Sequence, residues 1–216
     1  MLSWLQEHSQ AISAVTGLGT LGVWLIYLQV FVSNYRRQLR AKILISRGAG
    51  SGLESRCLVS NMSAAPVYIQ SVIVTLDLDG ERLMAPVTDL SGREDDQTGT
   101  GAGLPTRQGP LASGELKDVG TFGNLVRHVL HSDGADDRGG EVDRGGEDEQ
   151  LRRLRSVQIE LLGVYASEDL PVGARRTFLA SAGNRGIELK GQTPFTTQLR
   201  SRRDRKQLAA VLEHDR

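Results

Sequence analysis

Residues 66–87 read PVYIQSVIVTLDLDGERLMAPV, and this stretch decides the fold class. Val72, Val74, Leu76 and Leu78 fall on one face, with Thr75, Asp77 and Asp79 on the other, the period of two that marks a half-buried strand. Asp79-Gly80 supplies the positive φ angles that a two-residue hairpin turn requires. Glu81 to Val87 is therefore expected to return as the antiparallel partner.

Upstream, Ala41 to Ser46 reads as a first strand with Ile43 and Ile45 on one face, and Ser55 to Asn61 as a second. Between them lies the glycine-rich run Arg47-Gly48-Ala49-Gly50-Ser51-Gly52. A dinucleotide fingerprint would need a third glycine where Leu53 stands and a helix where a strand follows, so a hairpin loop is the better account. Asn61-Met62-Ser63 fits the glycosylation acceptor pattern, a short signal that has no meaning on the cytoplasmic side of a membrane.

Downstream, Ser91 to Pro110 is polar and glycine-rich without apolar period and is expected to form a long mobile loop. A short strand should end near Val119. Thr121 then suits a helix N-cap, before an apolar stripe of Phe122, Leu125, Val126, Val129 and Leu130. His128 and His131 on that helix are expected to face solvent, because no carboxylate or cysteine lies near enough in sequence to complete a metal site. Residues 133–149 carry eight acids against two arginines, a net charge of −6, with Asp-Arg-Gly-Gly-Glu repeated from Asp137 and Asp143. That spacing matches no calcium loop, and so few apolar groups cannot offset ordering entropy, so disorder is expected over 133–150. Strand patterning returns with Val157, Ile159, Leu161 and Tyr165. Leu170 to Gly173 reads as a connection, Arg176, Phe178 and Ala180 as one face of a strand, and Ile187 and Leu189 as one face of the last. Short strands, turns and little helix predict a mainly β fold: an antiparallel sandwich over 41–199, Ig-like or similar, with one or two short helices.

Preceding this domain is the stretch Ala11 to Val32, AISAVTGLGTLGVWLIYLQVFV, inside a run from Ser9 to Tyr35 without Asp, Glu, Lys or Arg. As a helix it would extend ~33 Å, enough for a hydrocarbon core of ~30 Å. The alternative is a buried helix of a globular core; a cleaved signal peptide would need a basic start and a small-residue cleavage site, whereas Glu7 precedes the run and Tyr35-Arg36-Arg37 follows it. The expected division is therefore a short N-terminus (1–10), a transmembrane helix (11–33), a basic juxtamembrane segment (34–40), the β domain and a basic helical tail (200–216). Trp4 and Tyr35 suit the two headgroup zones, and Arg36, Arg37 and Arg40 follow the span. Basic residues stay inside, which predicts an inner-membrane protein with its N-terminus outside and its main domain in the cytoplasm. Small residues at Ser13, Gly17 and Gly22 mark candidate helix-packing positions. In the tail, Arg202, Arg203, Arg205 and Lys206 form a candidate lipid-surface patch.

Several of these segments, Trp24–Gln29, Tyr35–Gln38, Cys57–Ser63 and Pro66–Ile69, resemble a group of uncharacterised bacterial single-pass membrane proteins with a small β domain. The resemblance covers about the first 80 residues and implies architecture, with no activity attached.

With 26 basic and 26 acidic residues the formal charge is zero, and no stacking aromatics interleave the basic tail, so nucleic acid is not an expected partner. The single cysteine, Cys57, allows no internal disulfide. No catalytic, cofactor-binding or metal-binding residues are assigned. These features point to a membrane-anchored, non-catalytic interaction module whose partners are the lipid bilayer and either another protein or a second copy. The alternatives are an accessory subunit assembling through its span and a membrane-tethered ligand sensor.

Overall fold

The structure is a computed structural model that describes residues 9–38, 41–87, 108–134, 144–165, 171–183 and 186–199. It divides into two compact units, Met1–Arg40 and Ala41–Arg216.

Among the described residues the first unit is one helix, α1 (Ser9–Gln38), of 30 residues. It contains a stretch, Ser13–Tyr35, that is long and apolar enough to cross a membrane and of which none is buried within the protein. The three glycines at 17, 19 and 22 do not interrupt it. Thr20 satisfies its hydroxyl within the helix by donating to the Thr16 carbonyl at 2.9 Å.

The second unit is mainly β, with two antiparallel sheets in a sandwich-like arrangement. β1 (Ile43–Arg47), β2 (Arg56–Asn61) and β6 (Leu116–Thr121) form the smaller sheet in the order β1–β2–β6. The larger runs β10–β8–β7–β3–β4, from Thr197–Leu199, Pro171–Gly183, Leu154–Tyr165, Val67–Leu78 and Glu81–Pro86. β5 (Gly109–Leu111) pairs with the start of β3, and β9 (Gly186–Gly191) with the end of β8.

The hairpin expected from residues 66–87 is present: Leu78 pairs with Glu81 across Asp79 and Gly80, whose φ angles of 56° and 95° suit the two-residue turn. The row Val72, Val74, Leu76 and Leu78 is buried against Val157, Ile159 and Leu161 of β7 and Ile43, Ile45, Cys57 and Val59 of the other sheet, in one continuous core. Fully burying each such side chain contributes about 1.5–3 kcal/mol. β7 also runs against β3 at Gly163, where a Cβ would stand 2.5 Å from the Tyr68 carbonyl oxygen. A slip in register between Ile69 and Ser71 marks a bulge at this same place.

Helix α2 (Phe122–Gly134) adds Phe122, Leu125, Val126, Val129 and Leu130 to that core, and Thr121 caps it by accepting from the Asn124 N–H at 3.2 Å. Phe122 meets Phe178 edge to face, 4.8 Å between centroids.

Four expectations need correction. Arg144–Arg153 of the acidic segment is a helix, α3. Glu147 in its first turn reaches Arg127 of α2 at 3.4 Å, Leu151 packs against the core, and Arg152 and Arg153 lie at the end favoured by the helix dipole. Residues 135–143 lie outside the described residues. Gly109 and Pro110 are not loop but strand, since β5 bonds to β3; residues 88–107 are outside the described set. Pro171–Gly173 begins β8 instead of connecting strands, because proline is tolerated at the first residue of a strand. Finally, His128 does not face solvent: it is half-buried with Nε2 at 3.1 Å from the Pro86 carbonyl, to which it donates. His131 is exposed.

Candidate functional site

A cleft opens where β8, β9, α3 and the loop 51–55 meet. Of the apolar side chains that pack on the core while staying half-exposed (Leu53, Ala65, Leu151, Ala180 and Ile187), four line this cleft of about 670 Å³.

Its walls come from four distant segments. Pairing of β7 with β8 stops at Ser156 and Leu179, because the chain before Leu154 is helix α3 and leaves the sheet. Ala180–Gly183 is thus paired on one side only, by β9. The Gln192 N–H donates to the Thr177 carbonyl at 2.9 Å, which fixes the odd-numbered residues of β8 as those facing β9. By the alternation of an antiparallel ladder, the N–H and C=O of Ala182 project from the opposite side, into the cleft, with no partner among the described residues. The small side chains of Ala180, Ser181, Ala182 and Gly183 leave that side open.

The facing wall is α3, presenting Asp148, Leu151 and Arg152. It is held by the Arg127–Glu147 pair and by Arg153, which bonds the Leu78 carbonyl at 3.4 Å and Glu81 at 3.1 Å. The third wall is the loop 51–55. Ser51 accepts from the Leu189 N–H at 2.7 Å, Leu53 from the Gly123 N–H at 2.7 Å, and Ser55 from the Phe122 N–H at 3.0 Å. A glycine-rich phosphate cradle points N–H groups at its ligand; here the loop's carbonyls are spent on the fold, consistent with the hairpin-loop reading. Gly52 approaches β9 so closely that a Cβ would lie 3.2 Å from the Ile187 carbonyl oxygen.

Arg152, Arg155, Glu54 and Asp148 stand around the rim. Arg155 is tied to Asp79 at 2.5 Å. Among the described residues, Arg152, Glu54 and Asp148 have no ion-pair partner. Two cations and two carboxylates make the rim close to neutral.

Outside the cleft, Arg176 joins the two sheets, its Nη1 donating to the Ile45 carbonyl, its guanidinium 5.3 Å from the Phe178 ring centroid. Burial holds it below the usual arginine range, with Cys57 opposing that shift and Arg47 adding to it. Cys57 itself is fully buried. Asn61 of the glycosylation pattern is also buried, and its amide donates to the Ala65 and Leu111 carbonyls at 3.0 and 2.9 Å. The folded domain therefore spends that nitrogen on structure. Among the described residues no three His, Cys, Asp or Glu side chains are grouped to hold a metal.

Of the residues singled out in the sequence, Ser13, Gly17 and Gly22 lie on α1, and Tyr35 is exposed there with its ring stacked 6.4 Å from Phe31. At ~100° per residue, Gly17 lies near Ser13 but Gly22 on the opposite side. Arg36 and Arg37 fall in the last turn of α1. Trp4, Arg40 and the tail residues Arg202, Arg203, Arg205 and Lys206 lie outside the described residues. The cleft has no counterpart among the sequence expectations, because its walls are up to 135 positions apart, from Gly52 to Ile187.

Comparison with protein-family models, curated proteins and solved structures finds no match.

Proposed function

We propose that the protein is a membrane-tethered, non-catalytic interaction module: α1 fixes it in a bilayer, and the β domain offers its surface to a protein partner. The observation that carries this reading is the pairing of a fully uncovered apolar stretch, Ser13–Tyr35, with a β domain that has its own buried core. Apolar surface on that scale needs a cover other than water, and a lipid bilayer supplies one of matching thickness. Arg36, Arg37, Arg40 and Lys42 follow the span with only Glu7 and His8 before it, which supports placing the β domain on the cytoplasmic side. Site-specific photocrosslinking from Met84 and Leu179, both exposed on the β domain, tests the module in intact membranes. A protein adduct that recurs in replicates and disappears when α1 is deleted is expected. Absence of any adduct above the unirradiated control overturns the reading.

A second reading, an accessory subunit assembling through its span, is favoured by one specific feature of α1. Ser13, Gly17, Thr20, Trp24, Tyr27 and Phe31 recur at spacings of four and three, a heptad-like row along one face. Small residues occupy its first half and aromatics its second, and a second copy in the same membrane orientation would meet it in register.

A further inference from the structure

We propose that the cleft beside Ala180–Gly183 receives an extended peptide as an added β-strand, one that turns apolar side chains at alternating positions toward the cleft floor; this names the partner class of the module proposed above and rests on that reading.

The site is the place of a missing strand. β8 continues for four residues past Leu179, the last to pair with β7, and the chain that in continued register would lie opposite Ala182 and Gly183 is diverted into α3. What remains is a sheet edge with the N–H and C=O of Ala182 unmet among the described residues, and a neighbouring space of about 670 Å³. A strand laid ~4.8 Å from β8 fills such a position and supplies the absent donors and acceptors. The floor explains the side-chain preference. Leu53, Leu151 and Ile187 pack on the core and are half-exposed there, and alternate residues of an added strand all point to one face. Branched apolar side chains on that face complete the burial. The near-neutral rim of Arg152, Arg155, Glu54 and Asp148 gives little selection by net charge. Recognition through backbone and alternation, without charge, distinguishes this site from a basic patch.

The test uses the full-length protein in lipid nanodiscs and two immobilised sets of capped hexapeptides. In one set Val or Ile alternates with Ser, Lys or Glu; in the other the same residues are reordered so that the apolar ones are adjacent. Retention of the alternating set over the reordered set, changing little between low and high salt, is expected, with the Ala182 amide becoming protected from hydrogen exchange. Ala182→Pro removes the edge donor at a position where proline is tolerated and should weaken retention about tenfold. Leu151→Glu, which places a charge on the half-exposed floor, should abolish it; circular dichroism checks that both variants stay folded. Equal retention of the two sets, or full retention by Ala182→Pro, overturns the proposal. If Ala182→Pro keeps its crosslinks in membranes while alternating peptides are not selected, the module stands and the cleft proposal falls.

Discussion

The side-chain amide of Gln198 reads both backbone groups of Ile43: it donates to the carbonyl at 2.5 Å and accepts from the N–H at 3.1 Å. Two residues earlier, the Thr196 hydroxyl does the same for Ile45, at 3.1 and 2.9 Å. These are the groups of β1 that face away from β2, so two side chains from the far end of the domain stand in for the absent neighbouring strand. An uncapped edge is a template for pairing with other chains. Gln198→Ala leaves two part-buried backbone groups unmet and should destabilise the domain by about 1–3 kcal/mol. Chemical unfolding of the detergent-solubilised protein measures it, and the variant should also aggregate sooner on heating.

Asn61 makes a comparable demand inside the core. Besides its two donated bonds, its Oδ1 accepts from the Ser63 N–H at 2.9 Å, which shapes the turn between β2 and β3. Asn61→Leu removes all three and takes one hydrogen bond each from the Ala65 and Leu111 carbonyls. We expect a loss of about 2–3 kcal/mol and no rescue by Asn61→Asp, which has no N–H to donate.

Gly163 faces a backbone oxygen that cannot swing aside, in contrast to the flexible Glu188 side chain near Gly183. Gly163→Ala should therefore cost about 1–3 kcal/mol by overpacking, while Gly183→Ala costs less. Parallel denaturant titrations of the two variants give the comparison directly.

In α1, Gly17 and Gly22 are distinguishable. If α1 self-associates through the row of Ser13, Gly17, Thr20 and Trp24, Gly17→Leu should reduce energy transfer between labelled copies in vesicles, and Gly22→Leu should leave it unchanged. Equal effects of the two substitutions count against that row as the contact.

What could be read in the sequence was local and periodic. The row Val72–Leu78 with Asp79-Gly80, the stripe from Phe122 to Leu130 and the uncharged run after Ser9 each repeat often enough to announce an element. β5 and β10, of three residues each, are too short to show a period, and they exist because a neighbouring strand offers bonds. α3 was hidden by its composition: few apolar residues favour it, and its order comes from Arg127, from Glu81 beside Arg153, and from the core under Leu151. The cleft was illegible for a related reason. It is defined by where β7 stops pairing, a consequence of tertiary arrangement that no window of sequence contains.

The tether is the claim on which partner and compartment both rest, and extraction of native membranes at high pH tests it most directly. The intact chain should remain in the membrane pellet after alkaline carbonate treatment, and a chain starting at Ala41 should move to the supernatant with its β-sheet circular dichroism preserved. Release of the full-length protein by carbonate would contradict the account.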